Sequence, residues 1–150
     1  MTGTTDGTTG QASGRIHASC VAIAGQGVLI IGASGAGKSA LALELMSRGA
    51  QLVSDDQTDL ERRGEVLIAS APPAIAGRIE ARFVGILRAE ALPEAPVALA
   101  VDLDAPDEEN RLPLRRSANW LGVNVSLLHY VRHAYFPAAI LQLLKAGRTD

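Results

Sequence analysis

The run Gly32-Ala33-Ser34-Gly35-Ala36-Gly37-Lys38-Ser39 constrains this chain more than any other stretch. It fits G-x-x-x-x-G-K-[ST] at every fixed position, follows the apolar run Val28 to Ile31 and opens a helical pattern. Glycines let successive backbone N–H groups turn inward around an anion without Cβ clashes. The helix that begins at Lys38 points the positive end of its dipole at the same anion. The run therefore predicts a phosphate loop (Walker A) between strand and helix, which binds a nucleoside triphosphate with Mg²⁺. Gly32 to Ser39 form the cradle, Lys38 reaches the β and γ phosphates, and the Ser39 hydroxyl is a metal ligand.

The surrounding sequence reads as α/β with substantial antiparallel sheet. "RIHASCVAIAGQGVLIIG" reads as two strands joined at Gly25-Gln26-Gly27. Lys38 to Arg48 reads as a helix with Leu41, Ala42 and Leu45 on one side, and Gly49 sits at its left-handed cap. "QLVS" is a short strand that delivers Asp55 and Asp56. "QTDLERR" and "EVLIAS" flank a turn at Arg63-Gly64, and Pro72-Pro73 breaks the pattern. "GRIEARFVGIL" alternates like one strand, with Ile79, Ala81 and Phe83 opposite Glu80, Arg82 and Val84. "VALAVDL" is a buried strand, "DAPDEENR" an acidic loop, and "FPAAILQLLKAG" a helix from Pro137 to a stop at Gly147.

Composition narrows the class. Apolar residues at 47% and charged residues at 20% suit a single globular domain of this length. A net charge of -2 without a basic stripe argues against nucleic acid as a partner. Cys20 is the sole cysteine, lies in the apolar run "CVAIA" and is expected to be buried in a reducing compartment. No stretch reaches the roughly 20 apolar residues that a membrane span needs. Residues 1–14 lack the features of a signal peptide and are expected to form a mobile tail, with a single domain over 15–150 in the cytoplasm.

Mg²⁺ needs a carboxylate besides Ser39. Asp102, which ends "VALAVDL", and the Asp55-Asp56 pair each follow an apolar run. In the pair, one carboxylate can hold metal while the other accepts the proton of an attacking hydroxyl. Each also reads as an ordinary strand-end acid, His17 as a surface or core histidine, and Glu80 as part of a surface charge pattern with Arg78 and Arg82.

The pieces "IHASCVAI", "GASGAGKSALALELMSRGAQLVSDD", "GRIEARFVGI" and "NRLPL" stand in an order that resembles the catalytic domain of the HPr kinase/phosphorylase family. The resemblance covers Arg15 to Leu114. It implies a mixed, largely antiparallel sheet, similar to that domain and to phosphoenolpyruvate carboxykinase-like folds. The implied activity is ATP- and Mg²⁺-dependent phosphorylation of a serine on the phosphocarrier HPr, the regulatory target within the phosphotransferase system. It also implies roles: His17 as the family's active-site histidine, Asp55-Asp56 as the source of the base, Glu80 as second Mg²⁺ ligand, and Arg111 as a stabiliser of the transferring group. Asp102 becomes structural. The chain resembles a short form without the family's N-terminal domain, and relatives imply a hexamer. The run "YVRHAYF" lacks the Gly-Arg of the family's "PVRPGRN", which implies a kinase with weak or absent phosphorylase activity. Two other readings are a small-molecule kinase and a nucleotide-dependent switch. The first needs an arginine-rich lid, for which Arg111, Arg115 and Arg116 form too short a run. The second, as a GTPase, needs an Asn-Lys-x-Asp motif that the sequence lacks.

Overall fold

The structure is a computed structural model that describes residues 12–106 and 110–150. Most of the expected mobile tail, and residues 107–109 of the acidic loop, lie outside the described residues. A mixed 9-stranded sheet runs β1-β5-β6-β9-β3-β2-β4, with the β10–β11 pair joined to it through β9. Its strands are β1 (Ser13–Ile16), β2 (Ala18–Ile23), β3 (Gln26–Ile31), β4 (Gln51–Ser54), β5 (Thr58–Arg63), β6 (Val66–Ser70), β9 (Glu94–Asp102), β10 (Arg116–Trp120) and β11 (Val123–His129). β9 is parallel to β3 and to β11, and the remaining pairings of this sheet are antiparallel. β7 (Arg78–Ala81) and β8 (Gly85–Arg88) form a separate hairpin, and the helices are α1 (Lys38–Met46) and α2 (Phe136–Ala146).

Strand alternation supplies two cores, one on each face. On β2, Ala18, Cys20 and Ala22 face one core and Val21 the other; on β3, Leu29 faces the first and Val28 and Ile30 the second. The first core is closed by the antiparallel strands, through Leu60, Leu67, Trp120 and Val125. The second is closed by the helices, through Leu41, Leu45, Phe136 and Ile140. The expected buried Cys20 is found, with its side chain fully enclosed.

Several local expectations are corrected. "RIHASC" is not one strand: the chain bends at His17, so β1 pairs with β5 while β2 pairs with β3 and β4. β1 begins at Ser13, ahead of the expected domain start at Arg15. The β2–β3 turn falls on Ala24 and Gly25, both left-handed (φ 50 and 77), and Gln26 and Gly27 already belong to β3. "GRIEARFVGIL" folds back on itself as the β7–β8 hairpin. The Val84 amide donates to the Ala81 carbonyl at 2.9 Å, and Phe83, expected on a common face with Ile79, is 99% exposed at the tip. The β10–β11 hairpin was not anticipated; its turn at Leu121 and Gly122 has φ of 56 and 84.

Candidate active site

The C-terminal ends of β3, β4 and β9 and the N-terminal end of β2 meet at one edge of the sheet. In a sheet with parallel neighbours, this is where ligands bind. The loop from Gly32 to Gly37 leaves β3 here, and Gly35 and Gly37 take the left-handed conformations (φ 84 and 106) that their place in the motif requires. α1 follows directly at Lys38, so its N-terminal turn faces the loop. Lys38 is buried, and its Nζ donates to the Gly32 and Ala33 carbonyls at 2.9 and 3.2 Å, which satisfies the cation inside the loop.

β4 ends at Ser54 and places both aspartates beside the loop. The buried Asp55 carboxylate accepts from the Ser39 hydroxyl (2.6 Å) and the Ser19 hydroxyl (2.9 Å) on Oδ1, and from the Glu80 amide (3.0 Å) on Oδ2. Ser19 is fully buried, and its oxygen also accepts the Asp56 amide at 3.1 Å. The Asp56 carbonyl in turn accepts the Ala18 amide at 3.0 Å. Held at both ends, Asp56 adopts φ 68 and projects into the open cleft. Ile79, buried in the helix-side core, anchors the β7–β8 hairpin against α1 and sets Glu80 and Arg82 on the opposite wall.

The result is a cleft of about 520 Å³ lined by Ser34, Lys38, Ser39, Asp56, Glu80 and Arg82, among others. Ser39 and Glu80 line this cleft with hard oxygen donors, and the Asp55 carboxylate is bonded to the Ser39 hydroxyl. That set fits Mg²⁺, which takes few protein ligands and completes its shell with phosphate and water. Among the described residues no group of three His, Cys, Asp or Glu side chains forms a closed metal site.

The predicted residues therefore do not all converge. Gly32 to Ser39, Asp55, Asp56 and Glu80 come together. Exposed His17 follows β1 and precedes Ala18, the residue that binds the Asp56 carbonyl, but it does not line the cleft. Exposed Arg111 lies on the irregular segment before β10 and does not line it either. Asp102 sits on β9 beside β3, and its Oδ1 accepts the Asp104 amide (2.9 Å). Asp104 carries no signal in the sequence, yet its Oδ2 accepts the Ala33 amide at 2.7 Å and ties the loop to the end of β9. Ser19 and Arg82 also belong to this site without any motif that marks them. The signal for Ser19 was a hydroxyl inside the otherwise apolar "ASCVAI".

Fold and cleft together define a mixed α/β protein with a phosphate-loop sequence set between strand and helix and paired carboxylates beside it. The chain belongs to the HPr serine kinase C-terminal domain family, whose pattern matches residues 11–124. It is 46% identical over 78 residues to the HPr kinase/phosphorylase of Clostridium acetobutylicum, covering 52% of this chain and 26% of that one. It is 39% identical over 104 residues to that of Geobacillus thermodenitrificans (64% and 34% covered) and 35% over 125 residues to that of Clostridium beijerinckii (76% and 41%). The chain thus spans well under half the length of these relatives. The solved Hpr(Ser) kinase/phosphatase of Coxiella burnetii superposes with a TM-score of 0.76 at 31% identity, covering 88% of each chain. No described helix is long and apolar enough to cross a membrane.

Proposed function

We propose that this protein is an ATP- and Mg²⁺-dependent serine kinase that phosphorylates the phosphocarrier HPr in the cytoplasm. The observation that carries this reading is the division of labour at the end of β4. Asp55 is buried on the Ser39 hydroxyl, while Asp56 stands exposed in the same cleft. A nucleotide-binding loop alone needs only the first carboxylate. The second supplies a base with open access for an acceptor hydroxyl.

When bound, Mg²⁺ supplies neutralisation of the β and γ phosphate charge. Ser39, Asp55 and Glu80 would hold it. Lys38, which rests on the loop's own carbonyls, turns its charge to the phosphates. Asp56 accepts the proton of the acceptor serine and returns it in the reverse direction. Arg82 adds positive charge to the cleft wall, the electrostatic help that phosphoryl transfer most needs. His17 and Arg111 enter this reading through the family likeness alone, as does assembly into a hexamer. The absence of Gly-Arg from "YVRHAYF" supports a kinase with little phosphorylase activity. Rapid pyrophosphate release from phosphoserine-HPr and inorganic phosphate would overturn that part.

The deciding experiment is incubation with ATP, Mg²⁺ and HPr, with phosphoserine read by mass spectrometry. Wild type should transfer phosphate, and Lys38→Ala should lose at least ~10³-fold in rate with an unchanged melting temperature. No transfer to HPr by wild type would sink the assignment.

A further inference from the structure

Ser19 carries the one hydroxyl in β2, and the residue is fully buried. A hydroxyl in such a place has to find partners, because an unmade hydrogen bond there is costly. Ser19 finds one on each aspartate at the end of β4: it donates to Asp55 Oδ1 at 2.9 Å and accepts the Asp56 amide at 3.1 Å. A bulge between the two strands makes this meeting possible. Cys20 stands opposite Ser54, but the next pair is Val21 with Leu52, so Val53 is an extra residue on β4. Continued one residue past Ser54, the register sets Asp55 opposite Ser19, and cross-strand neighbours share a face. Without the extra residue Asp55 would fall opposite Ala18, whose side chain belongs to the first core. The start of β2 is braced as well: the Ala18 amide donates to the Asp56 carbonyl at 3.0 Å, and the Ala18 carbonyl accepts the Thr58 hydroxyl at 2.8 Å.

We propose that Ser19 is a positioning residue for the transfer step, an inference that rests on the reading of Asp56 as the base. Toward Asp55 the hydroxyl is a donor. Together with the Ser39 hydroxyl (2.6 Å) it fills both lone-pair sites of Oδ1, which commits Asp55 to the Ser39 side of the cleft. Toward Asp56 the same oxygen is an acceptor. It holds the amide end of a residue at φ 68, a left-handed conformation that a residue with a Cβ keeps only when its surroundings impose it. Truncation of Ser19 affects the two acids unequally. Asp55 keeps the Ser39 hydroxyl and the Glu80 amide, whereas the Asp56 amide loses its acceptor and the residue is free to turn out of the cleft. Ser19 therefore acts on the rate of transfer more than on ATP binding, without touching either substrate.

Steady-state transfer from Mg-ATP to HPr, resolved into kcat and KM for ATP, separates this role from a purely structural one. Ser19→Ala should lower kcat about 10²-fold, the effect of a misplaced reacting group, and leave KM for ATP within about 3-fold. Ser19→Thr, which keeps the hydroxyl, should restore kcat to within about 5-fold of wild type. Val125→Ala, in the first core and away from the cleft, should lower the melting temperature and leave kcat within about 2-fold. Should the added methyl of threonine unfold the chain, kcat and KM of Ser19→Ala beside those of Val125→Ala decide alone. Unchanged kcat in Ser19→Ala overturns the proposal and leaves the kinase reading intact. So does a folded threonine variant as slow as the alanine one, or a loss in Ser19→Ala that falls equally on kcat and KM. Wild type that transfers no phosphate to HPr overturns the kinase reading and this proposal with it.

Discussion

Asp55 and Asp56 are covalent neighbours whose side chains meet different surroundings, because the backbone turns left-handed at Asp56 (φ 68) and sends the two carboxylates apart. Asp55 accepts three hydrogen bonds in a buried position, whereas Asp56 keeps open access to the cleft. Asp56→Asn should retain ATP binding within a few-fold in calorimetry and lose about 10²–10⁴-fold in transfer rate. Asp55→Asn should instead weaken Mg-dependent ATP binding and cost about 2 kcal/mol in urea unfolding, because an amide nitrogen then confronts a donor. Similar effects of the two substitutions on binding and rate would refute the split. The pair itself was legible, since an apolar run followed by Asp-Asp places acids at a strand end. Which acid is buried and which faces the cleft was not: that depends on Ser19, from a strand distant in sequence, and on one positive φ. Arg82 was illegible for the same reason, because its place in the cleft follows from a hairpin that the alternation concealed.

Elements with a clear period and punctuation were readable: β3, α1 and α2 form where the pattern predicts, although β3 begins earlier, at Gln26, and α1 ends at Met46, short of the expected Arg48. The β7–β8 hairpin was not, because Phe83 and Val84 continue an apolar alternation that the chain never buries. Phe83 sits at φ 71, a conformation that costs a residue with a Cβ about 1–2 kcal/mol. Phe83→Gly and Phe83→Ala both delete the exposed ring, so their difference isolates the backbone. The glycine variant should be more stable by up to about 1 kcal/mol, after its extra unfolded-state entropy of about 0.5–1 kcal/mol is offset. Equal urea midpoints, or a more stable alanine variant, would contradict this. The opposite case is Gly27 on β3, where an added Cβ would lie 2.9 Å from the Pro96 carbonyl oxygen of β9. A backbone atom can yield only if the two strands part, so Gly27→Ala should cost about 1–3 kcal/mol by thermal unfolding. A variant as stable as wild type would show that β3 and β9 separate freely.

At the scale of the whole molecule, β2 lies between β3 and β4 and separates the two cores, so nothing reaches its interior face unless the sheet opens. The sequence showed that Cys20 lies in an apolar run. Its enclosure by residues of β5, β6, β10 and β11 is a product of long-range pairing that no local pattern reveals. That enclosure makes the thiol a reporter of global unfolding. Burial pushes its pKa up to about 12, so in the folded protein it stays a neutral, unreactive thiol. Disulfide-exchange labelling at pH 8 should then proceed only through unfolding. For a domain stable by about 5–10 kcal/mol, it should be at least ~10³-fold slower than in urea-unfolded chains. The same shift fixes a pH dependence. Below the thiol's unfolded-state pKa, both states hold the proton and stability is fully present. As pH rises from there toward 12, the unfolded state releases the proton first, and stability falls. Wild type should therefore lose more stability than Cys20→Ala between pH 8 and pH 10, measured as the difference in urea midpoints. Labelling at the unfolded rate without denaturant, or parallel pH profiles for the two proteins, would show that β2 is exposed by a local opening and that the sheet does not unfold as one unit.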